Sequence, residues 1–249
     1  MNKKFDVRTL VMVAMLGAIT VVLGMTPLGF VPIGPLNATT MHIPVIIGAI
    51  LEGPLVGALV GLIFGLSSLF NAITRPTVIS FVFYNPLISI APRVLIGLIA
   101  YFIYRGLRDV EGKKLKILGS LAWILILVFL GVGLVKSAQA QDLGLAFGVN
   151  VLLFLISCGL FYGTLKLKNG SEAIMISAFL TTLAHSIMVL GGIYLFYAQG
   201  YMEAVGLPVE TARATILGVV GTSGVPEGII AAVISSAVVL AARKSQPGK

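Results

Sequence analysis

Charge is scarce in this sequence. Of its 249 residues only 10% are Asp, Glu, Lys or Arg, while 58% are hydrophobic. Soluble domains carry roughly 25% charged residues, so the chain reads as an integral membrane protein. No interval between its apolar runs is long enough for a folded domain outside the bilayer. Cysteine occurs once, as Cys158 in an apolar stretch, which excludes disulfides and cysteine-rich metal sites. Histidine occurs twice, as His42 and His185, with no carboxylate or thiolate near either in the sequence. That is a poor metal set, so neither a metal site nor a cofactor is expected. There is no Walker loop, no Gly-x-Ser-x-Gly elbow and no His-Glu-x-x-His. Nothing here hydrolyses ATP, so any energy coupling must come from elsewhere. Period-two alternation is absent and the apolar runs are too long for barrel strands, which sets a strand reading aside. A strong internal repeat, the mark of many secondary transporters, is also missing.

The charge that is present carries topology. Lys3, Lys4 and Arg8 precede the first apolar run. Arg105, Arg108, Lys113, Lys114 and Lys116 form one loop, Lys166 and Lys168 a second, and Arg243, Lys244 and Lys249 close the chain. The positive-inside rule puts all four clusters in the cytoplasm. No small-x-small cleavage site follows the first run, where Thr26-Pro27 stands instead, so that run is expected to be a retained helix. An even number of crossings must then separate each pair of clusters. Eight hydrophobic stretches meet that condition: about 9–25, 41–51, 54–70, 86–104, 117–135, 145–165, 172–198 and 214–242. The expected fold is an all-α polytopic helix bundle in one membrane domain with both termini cytoplasmic. The second stretch is short for a bilayer of ~30 Å at 1.5 Å per residue, so it must tilt or be shielded by neighbours. Glu52-Gly53-Pro54 is expected to break the chain after it.

Polar residues inside this apolar chain are the functional candidates. The segment "GPLNATTMHIP" (34–44) gathers Asn37, Thr39, Thr40 and His42 between prolines, on the expected outer side. Amide, hydroxyl and imidazole groups suit a binding loop for a small polar solute; a plain turn is the alternative. Arg93 and Glu227 both lie within apolar helices, where an unpaired charge is costly. Either they pair to lock two helices, or Arg93 offers its planar fork to a substrate carboxylate. His185 shares a helical face with Thr181 and Thr182, as a core histidine or as a cavity-lining group. Phe81, Phe83, Tyr84 and Asn85 cluster at a helix entrance, as an interfacial belt or as an apolar wall for a ligand. Ala14 and Ala18 sit four apart on the first helix, a small-residue face for a partner or for internal packing; Gly57, Gly61 and Gly65 repeat the spacing and are expected to pack internally.

Three stretches together, "GFVPIGPLNATTMHIPVIIGAILEGPLVGALVGLIFGLSSL" (29–69), "PRVLIGLIAYFIYRGLR" (92–108) and "VPEGIIAAVISSAVVLAARK" (225–244), resemble the substrate-binding S-components of energy-coupling factor vitamin transporters, in particular the pantothenate- and folate-type subgroup. The resemblance covers about 5–108 and 171–244. It implies a non-enzymatic subunit that captures a vitamin-like solute outside the cell with high affinity. Its partners would be a transmembrane coupling protein and two cytoplasmic ATPase subunits that drive uptake. The family's small-residue motif on the first helix matches Ala14 and Ala18, which implies partner docking there. The family's pocket elements fall on 34–44, 80–97, 178–194 and 222–228. This implies substrate-binding roles for Asn37, Thr39, His42, Phe81, Tyr84, Asn85, Arg93, His185 and Glu227. Two departures stand out. His185 and Ser223 occupy positions where members of this subgroup commonly carry Asn, and 115–168 reads as an inserted hydrophobic hairpin. The rival readings are a stand-alone secondary transporter or channel for a small polar solute, and an intramembrane enzyme using His185 and Glu227.

Overall fold

The computed structural model of the protein describes residues 6–33, 36–141, 144–166 and 171–245, and the side chains of 30–38, 145, 146 and 166 lie outside that description. Lys3, Lys4, Lys168 and Lys249, and the Asn37 side chain, therefore fall outside it too. Helix α1 (Val7–Met25) runs into a 3-10 turn at Pro27–Gly29. A two-stranded antiparallel ribbon follows, β1 (Phe30–Ile33) with β2 (Leu36–Thr39), in register Phe30 to Thr39 and Ile33 to Leu36. This ribbon was not expected. Pro32 bars a helix there, and pairing the two short strands still satisfies backbone groups near the bilayer, where water is scarce.

Helix α2 (Ile43–Glu52) has only ten residues, yet Ile43 to Ile50 are all buried. The short helix is shielded by its neighbours, one of the two options the sequence left open. Gly53, at φ +101°, turns the chain in a conformation that favours glycine, and Pro54 opens α3 (Pro54–Thr74). A 3-10 turn (Ser80–Tyr84) and the one-turn helix α4 (Pro86–Ser89) lead to α5 (Ala91–Arg108). Then come α6 (Gly112–Gln139), α7 (Leu145–Lys166) and α8 (Glu172–Ala204), the last kinked at Tyr197. The final apolar stretch divides into α9 (Ala212–Val219), a π-helical turn at Val220–Gly224 and α10 (Val225–Lys244). Among the described residues, seven helical spans are long and apolar enough to cross a membrane, with α2 as a shorter eighth. The count agrees with the sequence reading. The kink at Tyr197 and the π turn both lie inside stretches that the sequence reading took as single helices.

The core is built around α2, which lies among α1, α3, α5, α8 and α10. Arg8 at the start of α1 pairs with Glu52 at the end of α2, with Nε and Nη2 at 2.9 and 2.5 Å from Oε1. Arg243 near the end of α10 donates to the Tyr104 hydroxyl at 2.7 Å. The first link ties the start of α1 to the end of α2, and the second ties the end of α10 to α5. Helices α6 and α7 pair with each other and rest on α8 and α10 through Trp123, Ile126, Leu130 and Leu153. Their outer faces stay apolar and open, with Leu125 70% and Leu155 61% exposed, as lipid-facing surface should be.

The tightest contact joins α3 and α5. A Cβ on Gly61 would lie 2.1 Å from the Arg93 carbonyl oxygen, and one on Gly97 would lie 2.2 Å from the Gly57 carbonyl carbon. Backbone meets backbone there, so the glycine spacing in α3 serves internal packing, as expected. The atoms in the way are main chain and cannot swing aside. Gly61→Leu is expected to cost about 3 kcal/mol, the upper part of the usual overpacking range. For a chain of this size that is a fall of roughly 10 °C in the thermal midpoint; differential scanning of the purified protein in detergent checks it.

Candidate functional site

Below the ribbon, α3, α5, α8 and the π turn enclose a cavity of about 250 Å³. Helix α3 supplies one wall. Phe64, Ser68, Asn71 and Arg75 follow one another at i, i+4, i+7 and i+11, so they form a single stripe along the helix, and all four line the cavity. The 3-10 turn supplies Ser80 and Phe83, three residues apart and therefore eclipsed. Helix α8 contributes His185, Ser186 and Val189, and the last span contributes Ser223 and Glu227. Thr39 and Met41 close the side under the ribbon.

Arg93 is the deepest charge. It lies in the first turn of α5, 5% exposed, where Pro92 fits because an early helical position needs no N–H partner. Its Nη1 donates to the Ile88 carbonyl, freed by the break between α4 and α5, while its Nε has no partner among the described residues. The rings of Phe64 and Phe83 each stand 5.4 Å from its Cζ, so the guanidinium is held between two aromatic faces. Glu227, 6% exposed, accepts the Thr39 N–H through Oε1 at 2.8 Å. Arg93 and Glu227 form no direct ion pair. The structure thus resolves one alternative: the two residues share the cavity without locking to each other.

The histidines stack on one another, with ring centroids 5.7 Å apart and an interplanar angle of 28°. His42 is fully buried behind the cavity wall, and the Thr182 hydroxyl bridges its Nε2 (3.0 Å) to the Ala178 carbonyl (2.8 Å). His185 faces Phe64 at 5.8 Å, and its Nε2 lacks a partner, as do His42 Nδ1 and the Ser223 hydroxyl.

The expectation that neither histidine has a carboxylate nearby is corrected here. One ligating atom from each of His42, His185 and Glu227 lies within 4.8 Å of the others. Folding brings together α2, α8 and α10 residues that are far apart in sequence. The spacing bears on what could sit among them. The three groups therefore stand close enough to hold one small atom or group in common.

Of the residues singled out from sequence, Thr39, Arg93, His185 and Glu227 line the cavity, and His42 backs it. Three do not reach it. Phe81 packs edge-on against Tyr197 at 6.0 Å, Tyr84 is 48% exposed, and Asn85 caps α4 by accepting the Leu87 N–H at 3.0 Å. The reason is the 3-10 turn: its three-residue period sends Ser80 and Phe83 inward and turns Phe81 and Tyr84 away. The sequence reading also passed over Phe64, Ser68, Asn71 and Arg75. Their signal was present as a polar stripe of helical period inside an otherwise apolar segment.

On α1, Leu16, Gly17, Thr20 and Gly24 face inward, and a Cβ on Gly17 would meet Ile63 Cδ1 at 2.5 Å. Ala14 and Ala18 point outward and are exposed.

Comparison with known proteins adds two findings. Residues 8–141, more than half of the chain, match the family described as the ECF transporter substrate-specific component. The "Pantothenic acid transporter PanT" of Lactococcus lactis subsp. cremoris (strain MG1363) is 36% identical over 85 residues, which span 28% of this chain and 43% of that protein. The chain thus aligns with less than half the length of the curated relative.

Proposed function

The chain belongs to the ECF transporter substrate-specific component family, and from that premise we propose that it is the membrane-embedded binding subunit for a small carboxylate-bearing vitamin, pantothenate foremost. Membership in a transporter family supports transport rather than catalysis. The observation that carries the substrate class is Arg93: a buried guanidinium in the cavity wall, with an unpartnered Nε and no direct acidic partner. A buried cation with no directly bonded acidic partner favours an anionic ligand, and a carboxylate matches its fork. His185, Glu227, Thr39 and Ser223 serve the ligand's hydroxyl and amide groups, while Phe64 and Phe83 cover its apolar carbons. Asn37, on β2 beside this wall, completes the binding loop. The similarity to a relative named for pantothenic acid points to the same ligand.

The basic clusters orient the chain with both termini in the cytoplasm, which opens the cavity and its ribbon to the outside. A transmembrane coupling protein docks on the outward face of α1 around Ala14 and Ala18, and two ATPase subunits power the cycle. The hairpin α6–α7 is an insertion into a six-helix core. It leaves and re-enters on one side, so deleting 115–168 keeps the last two helices oriented as before. Lipid tails can replace its apolar cover on α8 and α10 at little cost. A C-terminal tag that becomes accessible from outside after this deletion would contradict the topology.

Arg93→Ala is expected to weaken pantothenate binding by tens-fold or more, given about 2–5 kcal/mol for truncating one side of a buried charge pair. Arg93→Lys should recover only part of it, since the fork is lost. Calorimetry on folded protein decides the point, and unchanged affinity in Arg93→Ala would remove the carboxylate assignment. Ala14→Trp with Ala18→Trp is expected to abolish uptake by the assembled transporter while leaving ligand affinity within about twofold, because α1's outward face is separate from the cavity. Surviving uptake would refute the docking surface.

A further inference from the structure

The α3 stripe ends at a second guanidinium that the account of the bound ligand does not use. Arg75 lies immediately after α3, lines the cavity and is exposed at its mouth. Its backbone N–H closes the helix on Asn71, and its side chain has one long contact, Nη1 to the Met25 carbonyl at 3.4 Å. No acidic group pairs with it, and no aromatic ring covers it, among the described residues. Most of its five N–H donors are therefore uncommitted. Arg93 differs on each count, being buried, stacked between two rings and bonded to a carbonyl.

The two cations stand at opposite ends of one wall. Arg93 touches Phe64, and Arg75 follows eleven residues later, just past the end of α3, a rise of about 16 Å at 1.5 Å per residue. Between them the stripe offers Ser68, which has no hydroxyl partner among the described residues, and Asn71, whose amide is committed to the Gly24 carbonyl at 3.1 Å. Charge placed at a rim and charge placed in a buried site do different work. A rim charge acts on association rate and its salt dependence, and a buried, hydrogen-bonded charge acts on dissociation.

We propose that Arg75 is the entry subsite of the transporter subunit, a mouth guanidinium that captures the ligand's anionic group on arrival and hands it inward to Arg93. The proposal rests on the reading that the ligand is a small carboxylate. It assigns the two arginines separate kinetic roles: Arg75 sets how fast the anion enters, and Arg93 sets how long it stays. The alternative is an interfacial arginine that merely keeps its head in water.

Rapid-filtration kinetics with radiolabelled pantothenate, on purified protein in detergent at low and high salt, tests it. For wild type, the association rate should fall severalfold as salt rises. Arg75→Gln should lower it about fivefold at low salt, the worth of one unit charge pair near contact in water, and should abolish most of the salt dependence. Its dissociation rate should stay within about twofold. Arg75→Lys should keep most of the wild-type association rate, because steering needs charge and not a fork. The neutral alcohol analogue of pantothenate should enter wild type and Arg75→Gln at the same rate. An Arg75→Gln protein with wild-type association rate and salt dependence overturns the proposal, leaving an interfacial arginine. So does a faster dissociation with unchanged association, which would make Arg75 part of the bound site. If Arg93→Ala keeps full affinity while Arg75→Gln slows entry, the deep carboxylate assignment fails and the entry subsite stands. If wild type binds neither compound, pantothenate falls as the ligand and the entry subsite falls with it.

Discussion

Helices α3 and α5 approach with no side chain between them, and the cavity depends on that contact. At Gly61 the space a methyl group would take is already filled by the Arg93 carbonyl. In lipid there is no hydrophobic gain from bringing two helices together, so close packing has to supply the attraction. Glycine on both sides supplies it, and the same contact fixes where Arg93 begins its helix. The guanidinium then reaches the space between Phe64, from α3, and Phe83, from the 3-10 turn. A shift of α3 would move one ring of that pair, part of the polar stripe and the mouth together.

A buried cation without a direct counter-ion is costly in hydrocarbon. Here its cost is offset by one carbonyl, two aromatic faces and a carboxylate elsewhere in the cavity. Apart from Phe64, these partners arise where helical structure is interrupted. The Ile88 carbonyl is free because α4 ends at Ser89, and Glu227 opens α10 directly after the π turn. The Thr39 N–H is available because β2 ends there. Irregular backbone at membrane depth is tolerated where it lines a cavity. In this protein the interruptions converge on one, so the breaks that weaken individual helices also furnish the polar groups of the site.

Periodicity and composition were enough to read the helix count and the break at Gly53, because hydrophobic length and glycine conformation are local properties; whether α2 tilts or is shielded depends on its neighbours and stayed open. Arg93, Glu227, His185 and Thr39 were legible as well, since a polar group in an apolar run is conspicuous without any structure. What failed depended on geometry that sequence does not carry. Phe81 and Phe83 look alike in "SFVFYN", and only the three-residue period of the turn decides which ring faces the ligand space. The proximity of Glu227 to both histidines needs α2, α8 and α10 to meet. The α3 stripe is a different matter: Ser68, Asn71 and Arg75 recur at helical spacing in plain view. The glycine spacing overlaps it in the same segment, so one helical pattern carries both a packing signal and a polar one.

Helix α3 in fact does two things along one face. In its first half Gly57 and Gly61 meet α5, and in its second half Phe64, Ser68 and Asn71 line the cavity. Helix α1 is divided between two faces, with Gly17 and Gly24 turned inward and Ala14 and Ala18 turned out. Gly17 meets Ile63, on α3, and Gly24 meets Asn71, whose amide donates to the Gly24 carbonyl. The cavity wall and the outward face of α1 are therefore separated by a single layer of contacts. Asn71 is the element common to both, bonded to α1 on one side and lining the cavity on the other. A shift of α3 at the mouth would bear first on that bond, because it is what ties this part of the cavity wall to α1.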